Sequence, residues 1–305
     1  MSFFNSFITF TISNLPKGFA KPFAKPYVAG VTMDDALSHV HRLNNNGFDA
    51  TVDILGEHVS NVDEARNITA QYCQLYQMIA EESLQCTISV KPTHIGLNIS
   101  LSEAVFNMTA ILEKAQEFGN FLRIDMENSV FTNQTFEIFE QCKPIYENMG
   151  VAIQSYLFRS QEDIERLADS NFNSRICKGI YRESSSVAFQ DREDIKNNFL
   201  ILAKSMAERN AFSGYATHDQ DLIDKLLDWI ETENISPDLF EFQVLFGVPM
   251  EGRLEALLEK GYKVRVYVPY GPDWFNYSVR RLKENPNIAG YVLWNMFKKR
   301  MVLIS

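Results

Sequence analysis

The sequence predicts an α/β fold: a (βα)8 barrel of the TIM type, a single domain with an N-terminal helical lead-in. Three observations carry this. Eight short apolar segments of strand character recur along the chain, and each is followed by a segment with helical periodicity. Connections of helix length join parallel strands, and eight such units close into a barrel. No Gly/Ser linker or compositional break interrupts the run, so the 305 residues read as one large barrel and not as two domains. A doubly wound open sheet is the competing architecture, because periodicity alone does not show closure.

The lead-in, residues 1–46, begins MSFFNSFITFTISNL, which is apolar but lacks a basic n-region and is interrupted by Asn5, Ser6, Thr9 and Thr11. It is too short to span a bilayer and is a poor signal peptide. Phe3, Phe4, Phe7, Ile8 and Phe10 suit an amphipathic helix that docks on the body or touches a membrane surface. Residues 18–31 are irregular, and a helix over 33–45 ends at Gly47.

The barrel domain, 47–305, then unrolls. Strands are expected at ATVDIL (50–55), CTISVKPT (86–93), FLRIDM (121–126), VAIQSY (151–156), RICKGIY (175–181), GYATH (214–218), FEFQVLFG (240–247) and KVRVYVPY (263–270). The intervening helices fall at about 62–83, 102–118, 130–147, 162–168, 192–209, 220–232 and 252–260. An eighth begins at Asp273 after the Gly271-Pro272 turn, and the segment 290–299 is expected to pack on the barrel as a strand or helix.

A net charge of −10 argues against a general nucleic-acid binder, which needs a basic face. The four cysteines have no CxxC pairing or zinc-like spacing, so they read as reduced core thiols of a cytoplasmic protein. The chain has no GxGxxG and no GxxxxGK[ST], so neither a Rossmann dinucleotide site nor a P-loop is supported.

Barrel active sites lie at the C-terminal ends of the strands. The polar residues at those ends are Asp53, Lys91, Asp125, Gln154, Arg175, Lys178, Thr217, His218, Tyr267 and Tyr270. Lys91 and Asp125, on neighbouring strands, are expected to pair, which fits either a site or a purely structural ion pair. The helix after strand eight carries Tyr277, Arg280 and Arg281 on one face. Two adjacent guanidiniums can grip a carboxylate or phosphate, although on an arbitrary helix they would more often form a solvated face. Together these residues suggest a locally cationic, aromatic-lined mouth with an anionic ligand. His218-Asp219 has no HxH or HExxH companion, so no metal is expected. Lys178 or Lys91 could serve a Schiff-base lyase, and a catalytically silent binding barrel is a further alternative.

The blocks TVDILGEHV, SVKPTHIGL, RIDME, IQSYLFRS, RICKGIY, VAFQD, YATHD, FEFQVLFG and VRVYVPYGPDWFNYSVRRL occur in that order. In this the chain resembles the short monofunctional bacterial proline dehydrogenases. The resemblance implies noncovalent FAD in a distorted (βα)8 barrel, and oxidation of L-proline to Δ1-pyrroline-5-carboxylate with electrons passed to a quinone. It also leaves peripheral contact with the cell membrane open. Carried over residue by residue, it implies that Arg280 and Arg281 clamp the substrate carboxylate and that Tyr277 selects proline over 4-hydroxyproline. Lys91 and Asp125 would flank the ring nitrogen, Tyr267 would shape the pocket, and Arg175 would sit near flavin N5. Met126, Gln154, Lys178, Gly179 and Ile180 would line the isoalloxazine and ribityl chain, with Thr217 and His218 at the adenosine part. The chain departs from the family pattern at Cys177, Ile180, the VPMEGR segment, Trp294 and Asn295.

Overall fold

The computed structural model describes residues 27–275 together with 277 and 278. Its strands are β1 (Asp49–Ile54), β2 (Cys86–Val90), β3 (Leu122–Ile124), β4 (Met149–Gln154), β5 (Asn173–Cys177), β6 (Phe212–Ala216), β7 (Phe240–Leu245) and β8 (Val264–Tyr270). Each pairs in parallel with its sequence neighbours, and β8 pairs with β1 from Asp49↔Arg265 to Ile54↔Tyr270, so the sheet closes. The open-sheet alternative is thereby excluded. The helices are α1 (Met33–Asn45), α2 (Val62–Glu81), α3 (Leu101–Glu117), α4 (Thr132–Cys142), α5 (Ser160–Leu167), α6 (Arg192–Glu208), α7 (Gln220–Glu233) and α8 (Arg253–Glu259). Arg280, Arg281, the Phe-rich start of the lead-in and the 290–299 segment lie outside the described residues.

Local chemistry starts and stops these helices. Thr32 and Asp35 form a reciprocal capping box at α1, and Asn61, Ser100, Asp191 and Asp219 cap α2, α3, α6 and α7 with their side chains. The helix expected over 130–147 is shorter than predicted. It is a 3-10 turn, Ser129–Phe131, followed by α4, which stops at Cys142: Lys143 still has helical backbone, but Pro144 has no N–H to continue the ladder.

The strands alternate in a way that inverts the usual barrel filling, in which bulky aliphatics occupy the lumen. Hydrogen bonds run across the lumen from Arg175 on β5 to Asp125 just after β3, from Tyr267 on β8 to Asp125 at 2.9 Å, and from Arg265 on β8 to Thr87 on β2 at 3.5 Å. The polar set Thr51, Asp53, Thr87, Ser89, Arg123, Asp125, Arg175, Gln243, Arg265 and Tyr267 therefore points inward. The alternate residues, among them Val52, Ile88, Ile124, Val151, Ile176, Phe242 and Val266, join the helices in a continuous apolar shell. The hydrophobic core is thus the layer between sheet and helices, and the lumen holds paired polar groups. Arg265 is ion-paired to Glu241 at 2.7 Å and Asp49 at 3.1 Å, as buried charge requires.

The lead-in helix α1 packs against β8 and β1. It is tied at both ends: Ala29 N–H donates to Pro269 O at 2.9 Å, and the Asn44 side chain donates to Phe48 O at 2.9 Å and Gln85 O at 3.2 Å. It therefore occupies the outer-layer slot over the β8–β1 seam that a helix following β8 would ordinarily fill. Beyond β8, Tyr277 is buried and lines the cavity at the barrel mouth. No helix among the described residues is long and apolar enough to cross a membrane.

Candidate active site

A cavity of about 560 Å³ opens at the C-terminal ends of the strands. Of the described residues expected at the site, all but Tyr270, which is buried away from it at the end of β8, line this cavity. Lys91 comes from just beyond β2, and Asp125 and Met126 from beyond β3. Gln154 ends β4, Arg175 lies on β5, and Lys178, Gly179 and Ile180 follow it. Thr217 and His218 follow β6, Tyr267 lies on β8, and Tyr277 closes the side above β8.

The floor is a network of buried charges. Lys91 Nζ lies 2.5 Å from Asp53 Oδ2 and 3.8 Å from Asp125 Oδ2. The expected Lys91–Asp125 pair is therefore the weaker of two contacts. Since β2 lies between β1 and β3, Lys91 can reach a carboxylate on either side, and it sits closer to the one on β1. Asp125 is held by Ser89 Oγ and an Arg175 guanidinium N–H on Oδ1, and by the Tyr267 hydroxyl at 2.9 Å on Oδ2. The Arg175 guanidinium also lies 5.2 Å from the Tyr267 ring centroid, in cation–π range.

The two carboxyls are pushed apart. Burial raises the proton affinity of Asp53; Lys91 opposes the rise and Asp125 adds to it, leaving the group at about 6. Burial acts the same way on Asp125, but Arg175 and Lys91 override it and hold that carboxyl below the ordinary value. Burial works against the charge on Lys91, yet Asp53 and Asp125 keep its ammonium above the usual lysine value. Burial also raises the Tyr267 phenol well above its ordinary value, so it stays a donor.

The outer part of the cavity is less buried. Lys178 Nζ pairs with Asp219 at 2.5 Å, and Lys196 lies 3.3 Å from the same carboxylate. His218 Nε2 accepts the Leu245 N–H at 2.9 Å, so this histidine is a hydrogen-bonding residue at a strand end. Gln154 donates its amide to Met126 O at 3.2 Å and leaves its buried Oε1 without a partner. At Gly179, φ is +99° and a Cβ would meet the Tyr156 ring at 2.4 Å, so the backbone there approaches the cavity with no room for a side chain. Glu183 takes the Ser129 N–H at 2.6 Å and its hydroxyl at 2.5 Å, linking the loop after β5 to the loop after β3 across the rim.

Two of these features were not assigned roles from the sequence. In the sequence Asp53 is only a polar strand end, and Asp219 only the second member of a His218-Asp219 pair that could serve as a metal or acid–base dyad. With them in place, Lys91, Arg175 and Lys178 each face a carboxylate, so the described mouth is less cationic than the strand ends suggest. Ser89 was missed, although its position two residues before Lys91 puts it on the same strand face. Both lysines offered for a Schiff base are ion-paired to carboxylates, and at Lys91 the paired carboxylates favour ammonium over the free amine such chemistry needs. Among the described residues no group of three or more His, Cys, Asp or Glu is placed to hold a metal ion.

The closed parallel barrel, with its polar lumen and a mouth cavity that gathers buried acid, base and guanidinium groups, defines an α/β-barrel enzyme. The proline dehydrogenase family model matches residues 36–292. Proline dehydrogenase 1 of Bacillus subtilis (strain 168) is 40% identical over 276 residues, covering 90% of this chain and 91% of that one. The proline dehydrogenase of Deinococcus radiodurans is 31% identical over 280 residues, covering 90% of each. Among solved structures, proline utilization A from Bdellovibrio bacteriovorus, inactivated by N-propargylglycine, superposes with a TM-score of 0.81 at 24% identity. That match covers 88% of this chain and 33% of the other, and it is a likeness of fold. The chain belongs to the proline dehydrogenase family.

Proposed function

We propose that the protein oxidises L-proline to Δ1-pyrroline-5-carboxylate with FAD as cofactor and a quinone as electron acceptor. The observation that carries this is the convergence, in one cavity, of Lys91, Asp125, Arg175, Tyr267 and Tyr277. These side chains come from four separate strand ends and from the turn after β8, in a chain of this family.

The residues present fit a flavin. The volume lies in the range of cofactor sites, and the unpartnered buried Gln154 Oε1 is an acceptor suited to a ring N–H. Gly179 provides close backbone approach, and Met126, Lys178 and Ile180 line the same wall, with Thr217 and His218 further out. When bound, FAD supplies the acceptor for hydride from C5 of proline.

The protein's own groups do the rest. Lys91 and Asp125 flank the ring nitrogen, and the Tyr267 hydroxyl, locked onto Asp125, gives that wall a single shape. Arg175 offers a fixed cation where negative charge grows during transfer; a preorganised charge lowers the barrier because it needs no reorganisation. Tyr277 packs against the ring edge opposite the reacting bond, where a 4-hydroxyl would need space. Arg280 and Arg281 are assigned to the carboxylate from the sequence pattern. Quinone reduction accords with contact at a membrane surface, for which the Phe-rich residues 3–10 are the proposed segment.

The test is the visible spectrum of the purified protein. A yellow preparation that is bleached by L-proline under anaerobic conditions is the expected result. A colourless protein that takes up no flavin, or a flavin that L-proline leaves oxidised, would refute the proposal.

A further inference from the structure

We propose that Asp53 is the final acceptor of the proton that the substrate ammonium must lose before oxidation, and that Lys91 relays it. The inference rests on the amine-oxidising reading of the cavity. Proline is a zwitterion near neutral pH, and its nitrogen lone pair must be free to form the C=N bond, so the site needs a proton acceptor.

The geometry singles out one group. Asp125 is occupied on Oδ1 by Ser89 and Arg175 and on Oδ2 by Tyr267. Glu127 is engaged on both oxygens by Thr93. Asp219 pairs with Lys178 and Lys196 in the outer cavity. Asp53 has one oxygen 2.5 Å from Lys91 Nζ, while the other is buried with no hydrogen-bond partner. The groups around Asp53 are Lys91 from β2, Asp125 from β3, Tyr267 and Tyr270 from β8 and Tyr72 from α2, and burial keeps all three phenols protonated. Protonating Asp53 therefore leaves the Ser89, Arg175 and Tyr267 contacts of Asp125 in place. Asp53 and Asp125 are two carboxyls in one site whose proton affinities are driven in opposite directions, an arrangement that assigns the acceptor to the member with the raised value.

The step balances. A substrate N–H bond breaks and its electron pair stays on nitrogen. Lys91 takes that proton on Nζ as it passes one of its own to Asp53 Oδ2. Lys91 ends as the ammonium it began as, Asp53 becomes a neutral acid, and the net charge of the site is unchanged. No oxidant takes part in this transfer.

The test compares wild type with Asp53→Asn as holoenzymes, following anaerobic flavin reduction by L-proline against pH. In wild type the rate should fall as pH drops through about 6, where Asp53 is already protonated. In Asp53→Asn it should be lower by roughly 100-fold near neutrality. It should then climb about tenfold per pH unit as free proline loses its own proton, because the variant can use only the neutral amine. Affinity for tetrahydrofuran-2-carboxylate, which has ring oxygen in place of nitrogen, should be unchanged. A variant with the wild-type pH profile, or one that is slow without alkaline recovery, overturns the proposal. Should Asp53→Asn not retain flavin, infrared difference spectra of dithionite-reduced wild type with and without proline decide. A neutral-carboxyl band that appears on binding and shifts in Asp53→Glu supports the relay, and its absence overturns it. If L-proline fails to reduce wild-type flavin at any pH, the dehydrogenase reading itself fails, a result distinct from any of these.

Discussion

The contact between Tyr267 and Asp125 can be isolated by a single substitution. Tyr267→Phe deletes a hydroxyl that donates to Asp125 Oδ2 at 2.9 Å but keeps the ring that faces the Arg175 guanidinium. Asp125 retains Ser89 and Arg175 on its other oxygen and Lys91 at 3.8 Å, so it stays ionised but loses one of its direct donors. A hydrogen bond to a buried charge contributes about 1.5–3 kcal/mol. At about 2 °C of Tm per kcal/mol for a chain of this size, the variant should melt roughly 3–6 °C lower near neutral pH. The sign of the pH dependence follows from the depressed proton affinity of Asp125 in the folded state. Stability from such a group is present above its unfolded value, near 3.8, and is lost as pH falls through its folded value. The deficit of Tyr267→Phe should therefore be full near neutrality and shrink in acid. Thermal unfolding followed by circular dichroism at several pH values measures it. Equal melting temperatures at neutral pH, or a deficit that grows in acid, would refute the reasoning.

Two further substitutions probe the walls of the cavity. Tyr277→Ser should raise the ratio of 4-hydroxyproline to proline turnover by opening the space the buried phenol fills, and an unchanged ratio in steady-state kinetics would remove Tyr277 from the specificity argument. Gly179→Ala places a methyl 2.4 Å from the Tyr156 ring at a φ of +99°, so the loop must move. The expected outcome is a lower flavin-to-protein absorbance ratio after purification with little loss of barrel helicity, and full flavin content would show that the loop does not form the cofactor wall.

Much of the site was legible because its residues sit at strand ends, and a barrel places all strand ends on one face. Lys91, Asp125, Gln154, Arg175 and Tyr267 share one cavity for that reason. Partner choice was not legible. Lys91 is adjacent to strands carrying Asp53 and Asp125, and a distance of 2.5 Å to one against 3.8 Å to the other depends on side-chain placement that no spacing rule encodes. Asp219 stands beside His218 in the sequence, and only folding across β5 and β6 brings Lys178 to it, while its side chain caps α7.

By itself the sequence determined the succession of eight strand–helix units, since strand and helix periodicities are local, and it determined which polar residues stand at the strand ends. The tertiary structure decided closure, because pairing β8 with β1 joins residues more than two hundred positions apart. It also decided that α1 covers the β8–β1 seam and that Tyr277 lines the mouth cavity, since both depend on contacts between segments far apart in the chain. Finally, it separated Asp53 from Asp125, two chemically identical carboxyls at equivalent strand ends. Their proton affinities diverge because at Asp125 the Arg175 guanidinium and Lys91 outweigh burial, while at Asp53 burial outweighs Lys91.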